Sequence, residues 1–143
     1  MLSQTQRNKI FTEIATAYTI DAVGFTALKT YRAHWRGELD TPVICLEYAS
    51  DGAKHISSVG RSSQYDSSDL VVDVYATTYD NAIHGSTISR EIAVTLSKWF
   101  NTTDALDAVG VSVLRTDPAT QLDDLEDGIY RMRFVVKLLH KAI

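Results

Sequence analysis

The stretch that most constrains the fold is LVVDVYA, residues 70–76, because its apolar side chains alternate with a period of two. In an extended chain the two sides carry different sets: Leu70, Val72, Val74 and Ala76 on one, and Val71, Asp73 and Tyr75 on the other. This pattern predicts a β-strand with one face on a core. Thr77 and Asp80 follow at the spacing of a helix cap and an acidic first-turn residue, so a helix is predicted to begin directly after the strand.

Two helices are predicted from apolar residues that recur at three- and four-residue steps. The second is expected to continue to about residue 100 on Ile88, Ile92, Leu96, Trp99 and Phe100. The first, near the N-terminus, carries Ile10, Phe11, Ile14, Ala15 and Tyr18 on one face. Ser3 and Gln6 stand at the spacing of a capping box, which predicts the start of that first helix.

The remaining strands are predicted at residues 43–50, 109–116 and 128–143, which are rich in β-branched and alternating apolar residues. Residues 25–36 alternate loosely and fit either a strand or a helix. The order is then helix, two or three strands, helix and two strands. It predicts an α+β fold in which two main helices pack on one face of a mostly antiparallel sheet.

Composition indicates a single domain over residues 1–143, with a net charge of −4 and one cysteine, Cys45, expected to be a small buried residue. The N-terminal stretch lacks the pattern of a signal peptide, and no apolar run approaches a membrane span, so no membrane partner is expected. The histidines lack metal-pair spacing, and His84 is expected at the surface or in a helix cap. No enzymatic activity, metal or cofactor is expected.

One row of charges on the last strand is a candidate site. Arg131, Arg133 and Lys137 should point away from the core, as should Glu47 and Asp73 on their own strands. Two interpretations follow: cross-strand ion pairs on a wet sheet face, or a charged surface that contacts DNA or a protein neighbour. Cross-strand ion pairing is favoured, because Glu47 and Asp73 place opposite charges on the same face.

Two polar segments are candidate contacts between subunits or with a partner. The first is an extended arm near residues 55–66, placed at a sheet edge or in a projecting arm, and the second is an acidic loop near residues 117–127. A solvated loop is favoured for the second, ahead of a contact with a basic partner and of a metal site. The candidate contact residues are His55, Arg61, Gln64, Tyr65, Asp123, Asp124 and Glu126.

In order along nearly the whole chain, these segments resemble the tail terminator (tail completion) proteins of long-tailed bacterial and archaeal viruses. The residues that carry the resemblance are the N-terminal amphipathic helix, DTPVICLEYAS, LVVDVYATTYDNA and DGIYRMRFVVKLLHKAI. It implies a structural protein without enzymatic activity, which forms a ring, usually a hexamer, on the tail tube. The ring ends tube growth and joins the tail to the head or neck.

The same resemblance implies the partners and the location. They are further copies of the chain, the tail tube protein and a neck or connector protein, while genomic DNA passes through the lumen without sequence-specific binding. The protein is then expected in the virion tail or neck, and in the host cytoplasm during assembly. The alternatives are a head-completion or neck adaptor ring at the portal side, a monomeric binding module, and a small hydrolase or nuclease.

Overall fold

The long strand that contains residues 70–76 lies inside the sheet of a computed structural model, which describes residues 1–16, 29–31, 42–56, 62–77, 79–80, 83–123 and 128–141. Its helices are α1 (Gln4–Thr16) and α2 (Gly85–Thr102). Its strands are β1 (Lys29–Tyr31), β2 (Val43–Ile56), β3 (Ser62–Thr77), β4 (Tyr79–Asp80), β5 (Ile83–His84), β6 (Val111–Thr116), β7 (Thr120–Gln121) and β8 (Ile129–Lys141).

The main sheet has the strand order β1-β2-β3-β8-β6, and β7 pairs with β8 as well. The β1–β2 pair is parallel and the other pairs are antiparallel. The predicted α+β class, with two helices and a mostly antiparallel sheet, is confirmed. Within the ambiguous 25–36 segment, Lys29–Tyr31 is a strand, and the other residues of that segment lie outside the described part of the chain.

Both helices cover the same face of the sheet, because their apolar stripes share one buried cluster with it. The cluster includes Ile10, Ile14, Leu70, Val72, Val74, Ile88, Ile92, Leu96, Phe100, Phe134, Val136 and Leu138. The aromatic rings of Phe100 and Phe134 meet edge to face, with their centroids 6.3 Å apart. The period-two and helical patterns of the sequence therefore identify the core correctly.

The predicted capping box at the start of α1 is confirmed. The Ser3 backbone N–H donates to Gln6 Oε1 at 2.9 Å, and the Gln6 N–H donates to Ser3 Oγ at 3.2 Å. The Gln6 amide also donates to the carbonyl of Val109 at 2.9 Å, which ties the helix to the turn before β6. The same residue therefore starts the helix and fixes it to the domain.

The predicted start of α2 is wrong. Thr77 still belongs to β3, where it pairs with Ile129, and the short β4–β5 pair separates it from the helix. The N-cap is His84, whose Nδ1 accepts the backbone N–H of Ser86 at 3.3 Å, and its ring is exposed as expected. The first helical residue must be Gly85, because a Cβ there would lie 1.9 Å from the Thr77 carbonyl oxygen. Close packing against β3 therefore sets the first residue of α2.

The segment proposed as an arm continues two paired strands at its described ends. Lys54 lies opposite Asp66, and Ile56 lies opposite Ser62, so β2 and β3 extend as an antiparallel pair toward residues 57–61. Those five residues lie outside the described ranges. Tyr65 and Asp66 also pair with Lys141 and His140 of β8, so these two residues lie inside the sheet, whereas Ser62 pairs with β2 alone. The arm itself stays a prediction.

Candidate functional site

The site is the face of the sheet opposite the helices, which we call the outer face. Strand register aligns its side chains in rows: Asp73 lies opposite Arg133, Tyr75 opposite Arg131, and Asp69 opposite Lys137. The charged residues of this face are Glu47, Asp69, Asp73, Arg115, Asp117, Arg131, Arg133, Lys137 and Lys141. The alternation in β3 and β8 therefore brings the predicted charged residues together.

Asp73 is the centre of this face, because two arginines bind its carboxylate in the same way. Arg131 donates from Nε to Oδ1 and from Nη2 to Oδ2, each at 3.0 Å. Arg133 makes the equivalent bonds at 2.9 and 3.1 Å. Bidentate pairs of this kind fix the planar guanidinium groups in position. Both arginine side chains are therefore held in place by one acid.

The environment of Asp73 differs from the expected wet face. Only 1% of Asp73 is exposed, and the Arg131 and Arg133 side chains are 22% and 36% exposed. Beside them, Val43, Cys45 and Tyr75 form a small second buried cluster. The predicted cross-strand pairing is present, but it is made by a buried carboxylate under two half-covered guanidinium groups.

The pKa values around Asp73 show that its charge is well compensated. Burial alone raises the pKa of this carboxyl, but hydrogen bonds from Arg133 and Arg131, with their positive charges, outweigh burial and hold the pKa below its ordinary value. The hydrogen bond to Asp73 raises the pKa of Arg133. Burial, and then the charge of Asp73, raise the pKa of Tyr75, whose ring centroid lies 5.1 Å from the Arg131 guanidinium carbon.

Most of the remaining charges of the outer face also stand beside opposite charges. Lys137 lies between Asp69 of β3 and Arg115 of β6, and Arg115 Nε lies 3.4 Å from the Asp117 carboxylate. Glu47 acts on the Arg133 guanidinium as a nearby negative charge. With Lys141, which lies opposite Tyr65, the face carries five cationic side chains and four anionic ones among the described residues, so their formal charges nearly cancel.

A second polar cluster, which the sequence interpretation missed, lies at the end of the core under α1. Asp51 accepts the Ser68 hydroxyl and the Leu2 backbone N–H, each at 2.8 Å, and it also binds Arg7. Ser68 Oγ lies 2.8 Å from His140 Nε2. Extending the alternation of β3 back to residue 68, and that of β8 forward to residue 140, places both side chains on the core face.

This cluster has the residue types of a hydrolase but not the arrangement. A nucleophilic serine requires a histidine between it and the acid, whereas here Ser68 lies between Asp51 and His140. Ser68 is also completely buried. Burial raises the pKa of Asp51, but hydrogen bonds from the Leu2 N–H, Ser68 and Arg7 outweigh burial, so this pKa is lowered. Burial lowers the pKa of His140. The cluster therefore suits the attachment of α1 to the sheet.

A cavity of about 330 Å³ adjoins this cluster, between α1 and β2. It is lined by Gln4, Arg7, Phe11, Leu46, Glu47, Tyr48 and Asp51. Arg7, the cation in this lining, already pairs with Asp51, and the Arg7 guanidinium carbon lies 4.6 Å from the Tyr48 ring centroid. The lining groups therefore bind one another.

The other predicted contact residues fall in several places. Tyr65 is 49% exposed and lies opposite Lys141, and His55 and Gln64 lie in β2 and β3. Arg61, Asp124 and Glu126 fall outside the described residues. In the acidic loop, Asp123 accepts the Arg131 backbone N–H at 2.9 Å, and the Leu122 N–H donates to the Arg131 carbonyl at 2.8 Å. The first part of this loop is therefore fixed along β8.

Fold and site together define a small α+β domain whose sheet presents a face of nearly balanced charge, with two arginines fixed by Asp73. Among the described residues, no group of three or more His, Cys, Asp and Glu side chains is placed to hold a metal ion. Within the same part of the chain, neither helix has the length and apolar character needed to cross a membrane. No protein-family model matches the chain, and no curated protein matches its sequence.

Proposed function

We propose that this chain is a structural virion protein of the tail terminator type, without enzymatic activity. In this proposal a closed ring, expected to hold six copies, caps the tail tube, ends its growth and forms the surface that joins tail to head or neck. The sequence resemblance suggests the assignment. The structural observation that supports it best is the near balance of charge on the outer face, centred on Asp73 with Arg131 and Arg133.

The charge balance matters because DNA must pass a tail terminator ring without being held by it. DNA carries about one negative charge per 1.7 Å of axis, so a face with excess Lys and Arg binds it through counterion release. On the outer face four of the five described cations have a nearby acid, and two of the guanidinium groups are fixed by Asp73. Such a face suits the wall of a lumen through which DNA slides.

A ring also requires a contact between two different surfaces of neighbouring copies, because only a heterologous contact closes by rotation. Sheet edges and the surfaces beside them suit such contacts. In this chain β6 forms one border of the main sheet and β1 the other. Two different borders on one rigid sheet are compatible with a head-to-tail ring.

The first test is assembly. Purified protein should form rings by electron microscopy and mass measurement, and adding these rings to growing tail tubes should stop elongation. Virions that lack the protein should carry overlong tails. Normal free tails beside open heads would instead indicate the portal-side adaptor, and subunits that stay single even with tail tubes present would exclude both ring assignments.

The second test concerns the outer face alone. Replacing Arg131 and Arg133 would leave Asp73 unpaired, so the informative variant neutralises acids: Asp69→Asn with Asp117→Asn. It should make rings retain DNA in a salt-dependent manner, because two cations lose their neighbours. The matched control, Asp104→Asn with Asp107→Asn, changes the net charge equally at exposed positions away from the face. Equal DNA retention by both variants would contradict the proposed lumen.

A further inference from the structure

The outward side of α2 carries two cations that are not neutralised in the same copy. Arg90, Val94 and Lys98 follow one another at four-residue steps, so they form one line along the helix, which we call the α2 stripe. All three are exposed, with Val94 at 42%. Within the described part of the chain, neither the Arg90 guanidinium nor the Lys98 ammonium makes an ion pair or hydrogen bond. The stripe therefore offers two positive charges and one apolar side chain to a neighbour.

The turn that follows α2, residues 104–110, carries two carboxylates in the same condition, and we call it the acidic turn. Asp104 and Asp107 are exposed, and neither carboxylate makes an ion pair or hydrogen bond with a described residue. The Asp107 backbone N–H donates to the Asp104 carbonyl at 3.0 Å, so the two residues lie one tight turn apart, about 6 Å along it. Ala108 beside them is exposed, while Leu106 is buried in the core cluster under the helices. The acidic turn is therefore fixed on the helix side of the sheet.

Geometry favours pairing between copies over pairing within one. About 18 Å of helix axis separates Arg90 from Thr102, the last residue of α2, which is far longer than an arginine side chain. An acid at that end of the helix therefore does not neutralise Arg90 in its own copy. Two stripes do not suit each other either, because an antiparallel pair of α2 helices would place Arg90 of one copy opposite Lys98 of the other. The stripe therefore fits a different surface that carries carboxylates, and the acidic turn is such a surface.

We propose that the acidic turn of one copy docks on the α2 stripe of the next copy. Ala108 packs against Val94. Arg90 and Lys98 approach the two carboxylates of the turn from either side, and these opposite charges set the register and speed association. The contact rests on the ring proposed above and supplies its heterologous interface, because the stripe and the turn are different surfaces. Both surfaces lie on the helix side of the sheet, so the contact leaves the outer face free to line the lumen.

The test is a charge swap measured on ring assembly. Arg90→Glu with Lys98→Glu turns two attractive pairs into repulsive ones, so it should raise the protein concentration at half assembly at least about tenfold. Asp104→Lys with Asp107→Lys should do the same. All four substitutions in one chain should restore this concentration to within about threefold of the wild type, since opposite charges again meet.

A matched control separates the stripe from net charge. Arg90→Gln with Lys98→Gln lowers the net charge by two, and so does Thr5→Glu with Ala49→Glu at exposed positions on α1 and β2. Only the first pair should weaken assembly. Raising the salt concentration should weaken wild-type rings and the swapped rings alike. Equal weakening by both pairs, or failure of the charge swap to restore assembly, would overturn the docking proposal.

A second measurement detects the contact itself. Subunits carrying Val94→Cys are mixed with subunits carrying Ala108→Cys and treated with a mild oxidant, so that a disulfide between these positions must join two copies. The native Cys45 is buried and does not compete. Assembled rings of this mixture should form linked pairs, whereas a mixture of Val94→Cys with Thr5→Cys subunits should stay unlinked. Equal linking in both mixtures, or none in either, would contradict the docking.

Other outcomes distinguish this contact from the proposed function. Rings that cap tail tubes and tolerate Arg90→Glu with Lys98→Glu would leave the function intact and overturn the docking. Oligomers that respond to the charge swap but do not stop tube growth would support the docking and contradict the function. Thermal destabilisation of single subunits without any change in assembly would show that the turn binds its own helix, and would overturn the proposal. Asp104→Asn with Asp107→Asn should also assemble less readily, so DNA retention by this variant is compared at protein concentrations that give complete rings.

Discussion

Neutralising Asp73 should destabilise the fold more than any other single charge change on the outer face. Asp73→Asn preserves the shape of the side chain but removes the negative charge that two guanidinium groups share. Asparagine also replaces one carboxylate oxygen, which accepts hydrogen bonds from both arginines, with an N–H₂ group, so donors would face donors. Arg131 and Arg133 would then repel each other beside a buried position without a neutralising acid.

The size of the effect follows from burial. Removing one partner from a buried ion pair costs about 3–5 kcal/mol. The guanidinium groups here are 22% and 36% exposed and keep part of their hydration, so the expected loss is about 2–4 kcal/mol. At roughly 3 °C per kcal/mol for a chain of this length, the melting temperature should fall by about 6–12 °C.

The assay is chemical denaturation at pH 7, with Asp69→Asn as the matched control. Asp69 lies opposite Lys137 at a half-buried position, so its neutralisation should cost less than about 1 kcal/mol. Because the folded pKa of Asp73 is lowered, its stabilisation is present above the unfolded pKa of about 3.9 and disappears as the pH falls through the folded pKa. Asp73→Asn should therefore reduce the acid sensitivity of unfolding. A loss below about 1 kcal/mol would refute the reasoning.

Three further predictions concern the fold. Gly85→Ala should lower the free energy of unfolding by at least about 2 kcal/mol, because the new Cβ would lie 1.9 Å from the Thr77 carbonyl oxygen. The control Gly110→Ala should lower it by about 1 kcal/mol in the same denaturation assay, because its φ is 73° but no atom lies within 4 Å of the new Cβ. Ser3→Ala should cost about 1 kcal/mol through the lost cap, measured against the wild type by the same unfolding curves. Burial lowers the pKa of His140, so near the ordinary histidine pKa of about 6.5 the unfolded chain binds more protons than the folded one. The free energy of unfolding should therefore fall as the pH is lowered from about 7.5 to about 5.5, and His140→Gln should remove this pH dependence.

The sequence was sufficient to predict which side chains share a face, because alternation needs no tertiary information. It placed Asp73, Arg131 and Arg133 away from the core, where they are found. The burial of Asp73 did not follow from the same pattern. Burial depends on which side chains lie across a strand, and here the two arginines cover their own counter-ion.

The start of α2 shows where local patterns fail. Thr77 and Asp80 have suitable cap spacing, but Thr77 pairs with Ile129 in the sheet, and that contact is distant in sequence. The helix begins where Gly85 permits close packing on the Thr77 carbonyl. A histidine cap such as His84 is also outside the usual preference for Ser, Thr, Asp and Asn.

The distribution of charge limits how copies of this domain can be arranged in the proposed ring. On the outer face, acids stand beside most of the cations and Asp73 fixes two arginines, so this face has little affinity to offer an anionic neighbour. On the other side of the molecule, the exposed cations Arg90 and Lys98 make no ion pair within the described residues. A surface cation without an ion-pair partner is the kind of group that a negatively charged surface complements best. If the outer face lines the lumen of the proposed ring, α2 lies on the side of the sheet away from the DNA, so an anionic surface that binds Arg90 and Lys98 would belong to a protein neighbour.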